Sequence, residues 1–330
     1  MSQKLITVYG ATGAQGGSVV RALLRDKPGS FTIRGITRSP DSEAARALAA
    51  AGVEIIKVNI FNKDELAAAF KGSWAVFVNT NSDDPAIGSP GLPTETQVGK
   101  WAVDAAVEAG VKYFVYSGLA SASRITNGAV SCLCFDEKED IAKYAHSQPS
   151  LQSIVINPAY YMENFNVKEW AAYLGGLPFT EDSEGYYTLS WPLWGGSNEV
   201  PLIAIERDFG DIVHGALLNA DKLSGKTIQA ISQSKALEEI PADFEHATGK
   251  KSRFIPLEDW RLFKTDGTRV MQTVKEMFGF CYVSGGLYYG EPNDINLSAS
   301  LKQAAAAAQG RSGEDARLYS LGQYFKGVFS

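Results

Sequence analysis

Short apolar runs of strand length alternate with segments of helical periodicity through the first half of this 330-residue chain. Alternation of this kind is typical of βαβ units, in which consecutive strands lie parallel in one sheet. Several of the helical segments end in glycine, as helix C-termini often do. The predicted strands are residues 5–10, 31–37, 53–60, 75–80, 113–118 and 153–158. The pattern therefore predicts an α/β fold with a doubly wound, mainly parallel sheet.

The composition changes after Pro158, where aromatic residues and glycines crowd together. We interpret these stretches as loops and short elements of a smaller C-terminal cap above the sheet. Residues 207–219 and 226–232 have the patterns of a helix and a strand that return to the sheet. The predicted sheet domain is therefore residues 1–158 with about 205–233, and the predicted substrate cap is about 159–204 with 234–330. Near the end of the chain, the alanine-rich run 301–310 predicts an exposed helix.

A glycine-rich turn lies between the first predicted strand and the first predicted helix. Gly10 permits a tight turn, Gly13 lets the backbone approach a pyrophosphate, and Gly16 lets the helix pack closely on the strand. Backbone amides at the start of that helix then face the phosphates. With a strand before it and a helix after it, the turn predicts a dinucleotide-binding Rossmann sheet.

The end of the second predicted strand indicates which dinucleotide binds. NAD-specific sites usually place an Asp or Glu there for the ribose hydroxyls, whereas this chain has the sequence GITRSP. Arg38 instead offers a planar, permanently charged group for a 2′-phosphate, with Thr37 and Ser39 as hydroxyl donors. We therefore expect NADP(H) rather than NAD(H). The alternative interpretation of Arg38 is an ordinary surface charge at the start of a loop.

Composition and charge exclude several classes of protein. Hydrophobic residues make up 45% of the chain and charged residues 21%, which is typical of a globular protein. A formal net charge of −6 gives no basic footprint for nucleic acid. The three histidines and three cysteines show no metal-ligand spacing, so we expect no metal. Unpaired cysteines and a start without a signal peptide or membrane segment predict a cytoplasmic location and no membrane partner.

Several short motifs together resemble the NmrA-like family, which belongs to the atypical short-chain dehydrogenases. They are GATGAQG in the glycine turn, TR after the second strand, VNI at the end of the third, VYSGL after the fifth, FDEKED in the next helix and NPAYYMENF after the sixth strand. The resemblance implies a doubly wound Rossmann sheet with a small C-terminal cap. The family contains both enzymes and catalytically silent regulators that bind NADP(H).

The resemblance also implies roles for individual residues around the cofactor. Arg38 would contact the 2′-phosphate, and Asn59 and Ile60 would flank the adenine. Thr80 and Asn81 would lie beside the nicotinamide ribose, and Lys138 would hydrogen-bond to that ribose. Tyr160, Tyr161 and Asn164 would approach the nicotinamide ring. The diphosphate would be lined by Gly10, Thr12, Gly13, Ala14, Gln15 and Gly16.

The chain departs from the active-enzyme pattern at one position. Active short-chain dehydrogenases pair a tyrosine acid with a lysine four residues later. Here the lysine is Lys138, and Cys134 stands where the tyrosine is expected. The candidate catalytic residues are therefore Lys138, Tyr161 and Tyr160, with Cys134 interpreted as a small buried hydrophobe rather than an acid. A hydroxyl that polarises the substrate would come from Ser117, Ser121 or the cap.

The aromatic segments of the cap have two interpretations, the wall of a flat apolar pocket or the core of the cap. They contain Tyr186, Tyr187, Trp191, Trp194, Tyr282, Tyr288 and Tyr289. The pocket interpretation favours an NADP(H)-dependent oxidoreductase that transfers a hydride to a C=N, C=O or C=C bond of a medium-sized aromatic or heterocyclic substrate. The missing tyrosine instead favours a silent NADP(H)-sensing regulator that binds a protein partner. Both interpretations are compatible with a homodimer.

Overall fold

Seven parallel strands form the central sheet of the protein, which is described for residues 3–330 in a computed structural model. The strand order is β3-β2-β1-β4-β5-β6-β10, so the direction of winding reverses between β1 and β4. The strands are β1 (Lys4–Tyr9), β2 (Phe31–Thr37), β3 (Glu54–Lys57), β4 (Ala75–Val78), β5 (Tyr113–Ser117), β6 (Gln152–Pro158) and β10 (Thr227–Ala230). The predicted doubly wound α/β class is confirmed, with a third strand shorter than its apolar run.

Helices cover both faces of this sheet. The helices of the described residues are α1 (Ala14–Leu24), α2 (Glu43–Ala50), α3 (Lys63–Phe70), α4 (Glu95–Glu108), α5 (Ala122–Ile125), α6 (Leu133–His146), α7 (Lys168–Ala171), α8 (Gly210–Leu218), α9 (Ala220–Leu223), α10 (Glu239–Thr248), α11 (Arg269–Val283), α12 (Asn296–Ala308) and α13 (Leu321–Phe329). A π-helical turn, Ile205–Phe209, leads into α8. The predicted helix over 207–219 is thus the end of this turn and α8.

Burial on both faces explains why the strands have continuous apolar sequences rather than alternating ones. Every residue of β4 is buried. Phe77 belongs to the core on one face, where its ring contacts Phe209. Val76 and Val78 belong to the core on the opposite face, with Val103 of α4. The two cores fix the sheet, and with it the positions of the loops at its carboxyl edge.

The remaining strands form two small sheets outside the central one. β7 (Tyr160–Tyr161) lies parallel to β9 (Glu199–Ile203), and β11 (Gln233–Ala236) pairs antiparallel with β9. β8 (Tyr187–Leu189) pairs with β12 (Ser252–Phe254). Trp191 and Trp194 are fully buried beside Phe278, so both tryptophans belong to the core of this region.

Helix α12 packs against α8, on the sheet side of the molecule. A Cβ on Gly215 of α8 would lie 2.1 Å from the Leu301 carbonyl oxygen, so only glycine fits between the two helices. Ala305 and Ala306 are fully buried. The prediction of a helix in this alanine-rich run is confirmed, but the prediction that it is exposed is wrong. Small side chains here allow close approach of two helix backbones, which intrinsic helix propensity does not reveal.

The division into a sheet domain and a discontinuous cap stays a prediction. β10 and α8 lie with the sheet domain to which the sequence assigned them. α12 falls in the segment assigned to the cap, yet Lys302 pairs with Asp208 of the sheet side.

Among residues 3–330 no helix has the length and apolar character needed to cross a membrane. The same residues contain no group of three or more side chains that could hold a metal ion.

Candidate active site

An open cavity of about 630 Å³ lies at the carboxyl ends of β1 and β4, where the strand order reverses. Reversal points of this kind are where open α/β sheets bind ligands, because loops on the two sides diverge and leave a crevice. Of the residues that the family resemblance places around the cofactor, all except Gly16 and Asn59 line the cavity. They are Gly10, Thr12, Gly13, Ala14, Gln15, Arg38, Ile60, Thr80, Asn81, Lys138, Tyr160, Tyr161 and Asn164.

The glycine turn at one side of the cavity has the backbone geometry that its sequence requires. Gly10 has a φ of +74°, a conformation that side chains disfavour, and its carbonyl accepts a hydrogen bond from the Gly13 N–H at 2.9 Å. Gly16 lies beneath the turn rather than in the cavity. A Cβ on Gly16 would be 2.2 Å from the Gly10 carbonyl oxygen. Gly16 therefore permits close packing of the helix on the turn.

Helix α1 starts at this turn with free backbone donors. Side chains cap the starts of α2, α3, α4 and α11, whereas α1, like α6, α8, α10 and α12, has no side-chain cap. Helix α1 follows Gly13, which has no side chain to cap it, and its first turn contains no acidic residue. Its first amide groups and the positive end of its dipole face the cavity, so this end fits a pyrophosphate.

Arg38 lies at the far end of the same cavity, paired with an acid that the sequence did not indicate. Its Nη1 is 2.7 Å from Oδ2 of Asp84, which is buried, while the Arg38 side chain is half exposed. Asp84 belongs to the loop after β4 and also lines the cavity. An acid from another loop, rather than from the end of β2, thus lies beside Arg38.

Asn59 does not lie in the cavity. Its side chain is exposed, and its amide oxygen accepts a hydrogen bond from the Phe61 N–H at 3.1 Å. The Asn59 backbone N–H donates to Glu65. The expectation that Asn59 flanks the adenine is thus not supported by its position, because its side chain closes the turn that leads into α3. Ile60 does line the cavity.

Lys138 is held by protein groups at the centre of the site. Its Nζ lies 2.8 Å from the Thr80 carbonyl oxygen, 3.0 Å from Thr80 Oγ1 and 2.5 Å from Glu95 Oε1. An ammonium group has three donors, so these contacts use all of them. The predicted hydrogen bond from Lys138 to a ribose would therefore require the exchange of one of these partners.

Glu95 is the member of this cluster that the sequence did not reveal. It is fully buried, and it also accepts a hydrogen bond from Thr80 Oγ1 at 2.6 Å. Thr80 Oγ1 in turn is 3.0 Å from the Tyr116 hydroxyl. In sequence, Glu95 is an acid in the first turn of a helix, which is usually an exposed residue that interacts with the helix dipole. Its partner, Lys138, is on α6 and can be identified only from the packing of α4 against α6.

The two candidate tyrosines differ in the hydrogen bonding of their hydroxyl groups. The Tyr160 ring packs against Phe165 and Trp191, and its hydroxyl is buried with no hydrogen-bond partner in the described chain. Burial raises the pKa of Tyr160 well above its usual value. The Tyr160 ring packs in the aromatic core, yet the residue also lines the cavity, so the interpretation of Tyr160 as a proton donor stays a prediction.

The Tyr161 side chain is partly exposed, and its hydroxyl oxygen accepts a hydrogen bond from the Gln15 side-chain amide. Burial raises the pKa of Tyr161, while the Gln15 hydrogen bond and the charge of Lys138 act to lower it. The phenol thus stays protonated at neutral pH. Its proton has no acceptor in residues 3–330, so it is free for a ligand.

The candidate serines and Cys134 differ in whether they line the cavity. Ser117 and Cys134 line the cavity. Ser121 caps α5 and donates a hydrogen bond to Asp136 at 2.7 Å, so its hydroxyl is used in the fold. Ser117 is the serine that remains available to a ligand.

The end of the cavity beyond Tyr161 is apolar and reaches the cap. Phe135 and Tyr288 meet edge to face, with ring centroids 5.6 Å apart. Of the seven aromatic residues in the predicted segments, Tyr288 lies in the lining and the others do not. The apolar residues at this end are Leu119, Phe135, Trp170, Val270, Val274, Met277 and Tyr288.

A parallel sheet, a glycine turn leading into an uncapped helix, and a cavity at the strand-order reversal define a Rossmann-type dinucleotide-binding protein. The chain belongs to the NmrA-like family, whose sequence model matches residues 2–308. The resemblance that the motifs indicated is therefore confirmed.

Similar proteins include one relative from Cladobotryum sp. and two solved structures. The NmrA-like family domain-containing oxidoreductase FrzB of Cladobotryum sp. is 43% identical over 332 residues, covering 99% of this chain and 98% of FrzB. The negative transcriptional regulator NmrA in complex with NADP aligns with a TM-score of 0.75 at 19% identity, over 100% of this chain and 96% of NmrA. The quinone oxidoreductase QOR2 of Escherichia coli complexed with NADPH aligns with a TM-score of 0.69 at 18% identity, over 98% and 100% of the chains. At such identities the two structures show a shared fold.

Proposed function

We propose that this member of the NmrA-like oxidoreductase family is an NADP(H)-dependent reductase of a medium-sized, apolar aromatic or heterocyclic compound. The reducible bond is C=N, C=O or C=C. The observation that carries the proposal is the continuity of one cavity, which extends from the glycine turn and Arg38 to an apolar end in the cap. A protein that only senses the cofactor needs the glycine turn and Arg38. It does not need an open apolar end in the cap, whereas a reductase needs this space for its substrate.

The residues at the glycine turn fit the proposed cofactor. The free amides of the first turn of α1 would bind the diphosphate, and Arg38 would contact the 2′-phosphate. Thr80, Asn81 and Asn164 also line the cavity, and they would flank the nicotinamide ribose and ring. When bound, the nicotinamide supplies a hydride to the substrate.

The chain's own residues orient the substrate and supply a proton. The apolar residues Trp170, Val270 and Met277 exclude water and hold a flat ring by contact. Tyr161 is the group with a free proton beside this surface. A cationic iminium needs less acid catalysis than a neutral carbonyl, so imines are the first compounds to test.

Steady-state assays test the reaction directly. The loss of NADPH absorbance would be followed with panels of aromatic imines, aldehydes and enones. Turnover that depends on the compound supports the reductase, and Tyr161→Phe is expected to lower kcat more for carbonyls than for iminium ions. Binding of NADPH without turnover of any panel would instead support the silent, protein-binding regulator.

Arg38→Gln tests the proposed phosphate contact. Glutamine keeps a polar side chain at this position but removes the charge that pairs with the buried Asp84. We expect the Kd of NADPH to rise by about 10-fold or more and the Kd of NADH by less than about 3-fold, because only NADPH has the extra phosphate. Titration of the fluorescence of both reduced cofactors measures the two constants. An equal rise in both would contradict the assignment.

Val270→Trp tests the proposed substrate end. Val270 is partly exposed at the start of α11 and lines the apolar end of the cavity. We expect kcat/KM for the substrate to fall by about 100-fold while NADPH binding stays within about 3-fold, since the indole fills space that the substrate needs. Val283→Trp, at an exposed position on the same helix, is the matched control. Equal activity of the two variants would place the substrate elsewhere.

The cellular setting is part of the same proposal. The three cysteines are free and buried, which agrees with a reducing compartment and supports a cytoplasmic location. A homodimer and a protein partner stay predictions.

A further inference from the structure

Asp84 is a buried carboxylate whose position is fixed by its own loop. Its Oδ1 accepts a hydrogen bond from the Ala86 N–H at 2.9 Å, and its N–H donates to the Asn81 carbonyl at 3.2 Å. Its carbonyl accepts from the Ile87 N–H at 2.9 Å. The side chain is 2% exposed, so it cannot move away without breaking this turn.

The second carboxylate oxygen of Asp84 is directed at Arg38. Oδ2 lies 2.7 Å from Arg38 Nη1 and has no other partner in the described chain. The Tyr9 hydroxyl also faces this pair, is itself buried without a partner, and carries no charge because burial raises its pKa. Among residues 3–330, Arg38 is therefore the cation in contact with the Asp84 carboxylate.

We propose that Asp84 is a specificity-determining residue that limits the preference for NADP(H), so that the site also binds NAD(H). The inference rests on the proposed function of the cavity. A carboxylate beside Arg38 lowers the net charge at the position where a 2′-phosphate would bind, and burial reduces the screening of that charge. NAD(H) has a neutral hydroxyl there, so Asp84 lowers its affinity far less.

The position of Asp84 follows the general logic of cofactor selection in Rossmann sites. An acid at the end of β2 normally favours NAD(H) by accepting from the ribose and by repelling a phosphate. Here the end of β2 contributes a guanidinium, while the loop after β4 contributes the acid. Both determinants are thus present at one end of the cavity, and the balance between them sets the preference.

Cofactor titrations of the wild-type protein and of Asp84→Asn test this inference. Asparagine keeps an acceptor for the Ala86 N–H and nearly the same volume. In the variant, the Kd of NADPH is expected to fall by about 5-fold or more while the Kd of NADH changes by less than about 2-fold. Asp41→Asn is the matched control, because Asp41 is exposed, outside the cavity and three residues from Arg38.

The outcomes separate the inference from the proposed function. In the wild-type protein the Kd values of NADPH and NADH are expected to differ by less than about 10-fold. This comparison needs no variant. A wild-type difference above about 100-fold, or an unchanged Kd ratio in Asp84→Asn, would overturn the inference alone. Failure of the wild-type protein to bind either cofactor would overturn the proposed function and this inference with it.

Discussion

Lys138→Ala is expected to lower the free energy of unfolding by about 3–5 kcal/mol, apart from any effect on catalysis. Removal of the ammonium leaves Glu95 fully buried with an uncompensated charge. It also takes away a donor from the Thr80 carbonyl. Denaturant unfolding of the purified variant, followed by circular dichroism, measures the change.

Two further variants make this prediction specific. The double variant Lys138→Met with Glu95→Gln removes both charges, and it is expected to recover most of the lost stability. Lys63→Ala breaks a half-exposed pair with Glu108 and is expected to cost less than about 1 kcal/mol. A Lys138→Ala variant that is as stable as the Lys63→Ala variant would show that the buried pair does not form in solution.

The stability effect changes how activity data on Lys138 should be interpreted. An inactive Lys138 variant would by itself suggest a role of this lysine in catalysis or ribose binding. In this chain the same result also follows from collapse of the cluster around Thr80 and Glu95. Activity of Lys138 variants should therefore be compared with cofactor affinity at temperatures where the folded fraction has been measured.

Gly13→Val is expected to reduce the affinity for NADPH and NADH alike by at least about 100-fold, or about 2.7 kcal/mol. The Gly13 backbone is extended with a φ of −86°, which valine adopts readily. A Cβ there would meet nothing nearer than the Gly10 carbonyl oxygen at 3.4 Å, so the variant should fold. The added methyl groups would occupy the space that the phosphates need. Calorimetric or fluorescence titration measures the loss.

Neighbouring glycines provide controls for this prediction. Gly17→Ala should bind normally, because the nearest atom to its Cβ is the flexible end of Arg21 at 3.2 Å. Gly16→Ala should instead destabilise the fold, since its Cβ would overlap the Gly10 carbonyl. Retention of tight NADPH binding by Gly13→Val would mean that the phosphates do not bind at this turn.

The elements of the Rossmann sheet could be predicted because their signals are local. Continuous apolar runs specify strands that are buried on both faces, and the runs that became β1, β2 and β6 lie close to their predicted positions. Gly10 and Gly16 are required by backbone geometry within one turn, so their spacing in the chain was sufficient to identify it. Arg38 could likewise be identified from the local sequence, because it directly follows β2 in the chain.

The ion pairs around the site could not be predicted, because the two members of each pair come from separate parts of the chain. Asp84 meets Arg38, and Glu95 meets Lys138, only after the loops and helices that carry them pack at one sheet edge. Burial then turns ordinary surface-type residues into strongly interacting pairs, since water no longer screens them.

The chain's local pattern thus determined the doubly wound sheet, the glycine turn and the candidate cofactor residues. Tertiary packing decided which candidates line the cavity and which groups are buried: it left Asn59 outside, buried the Tyr160 hydroxyl, and buried the alanines of α12 against α8. The physical reason is that side-chain orientation and desolvation depend on contacts between distant segments, whereas strand patterns and backbone turns depend on neighbouring residues.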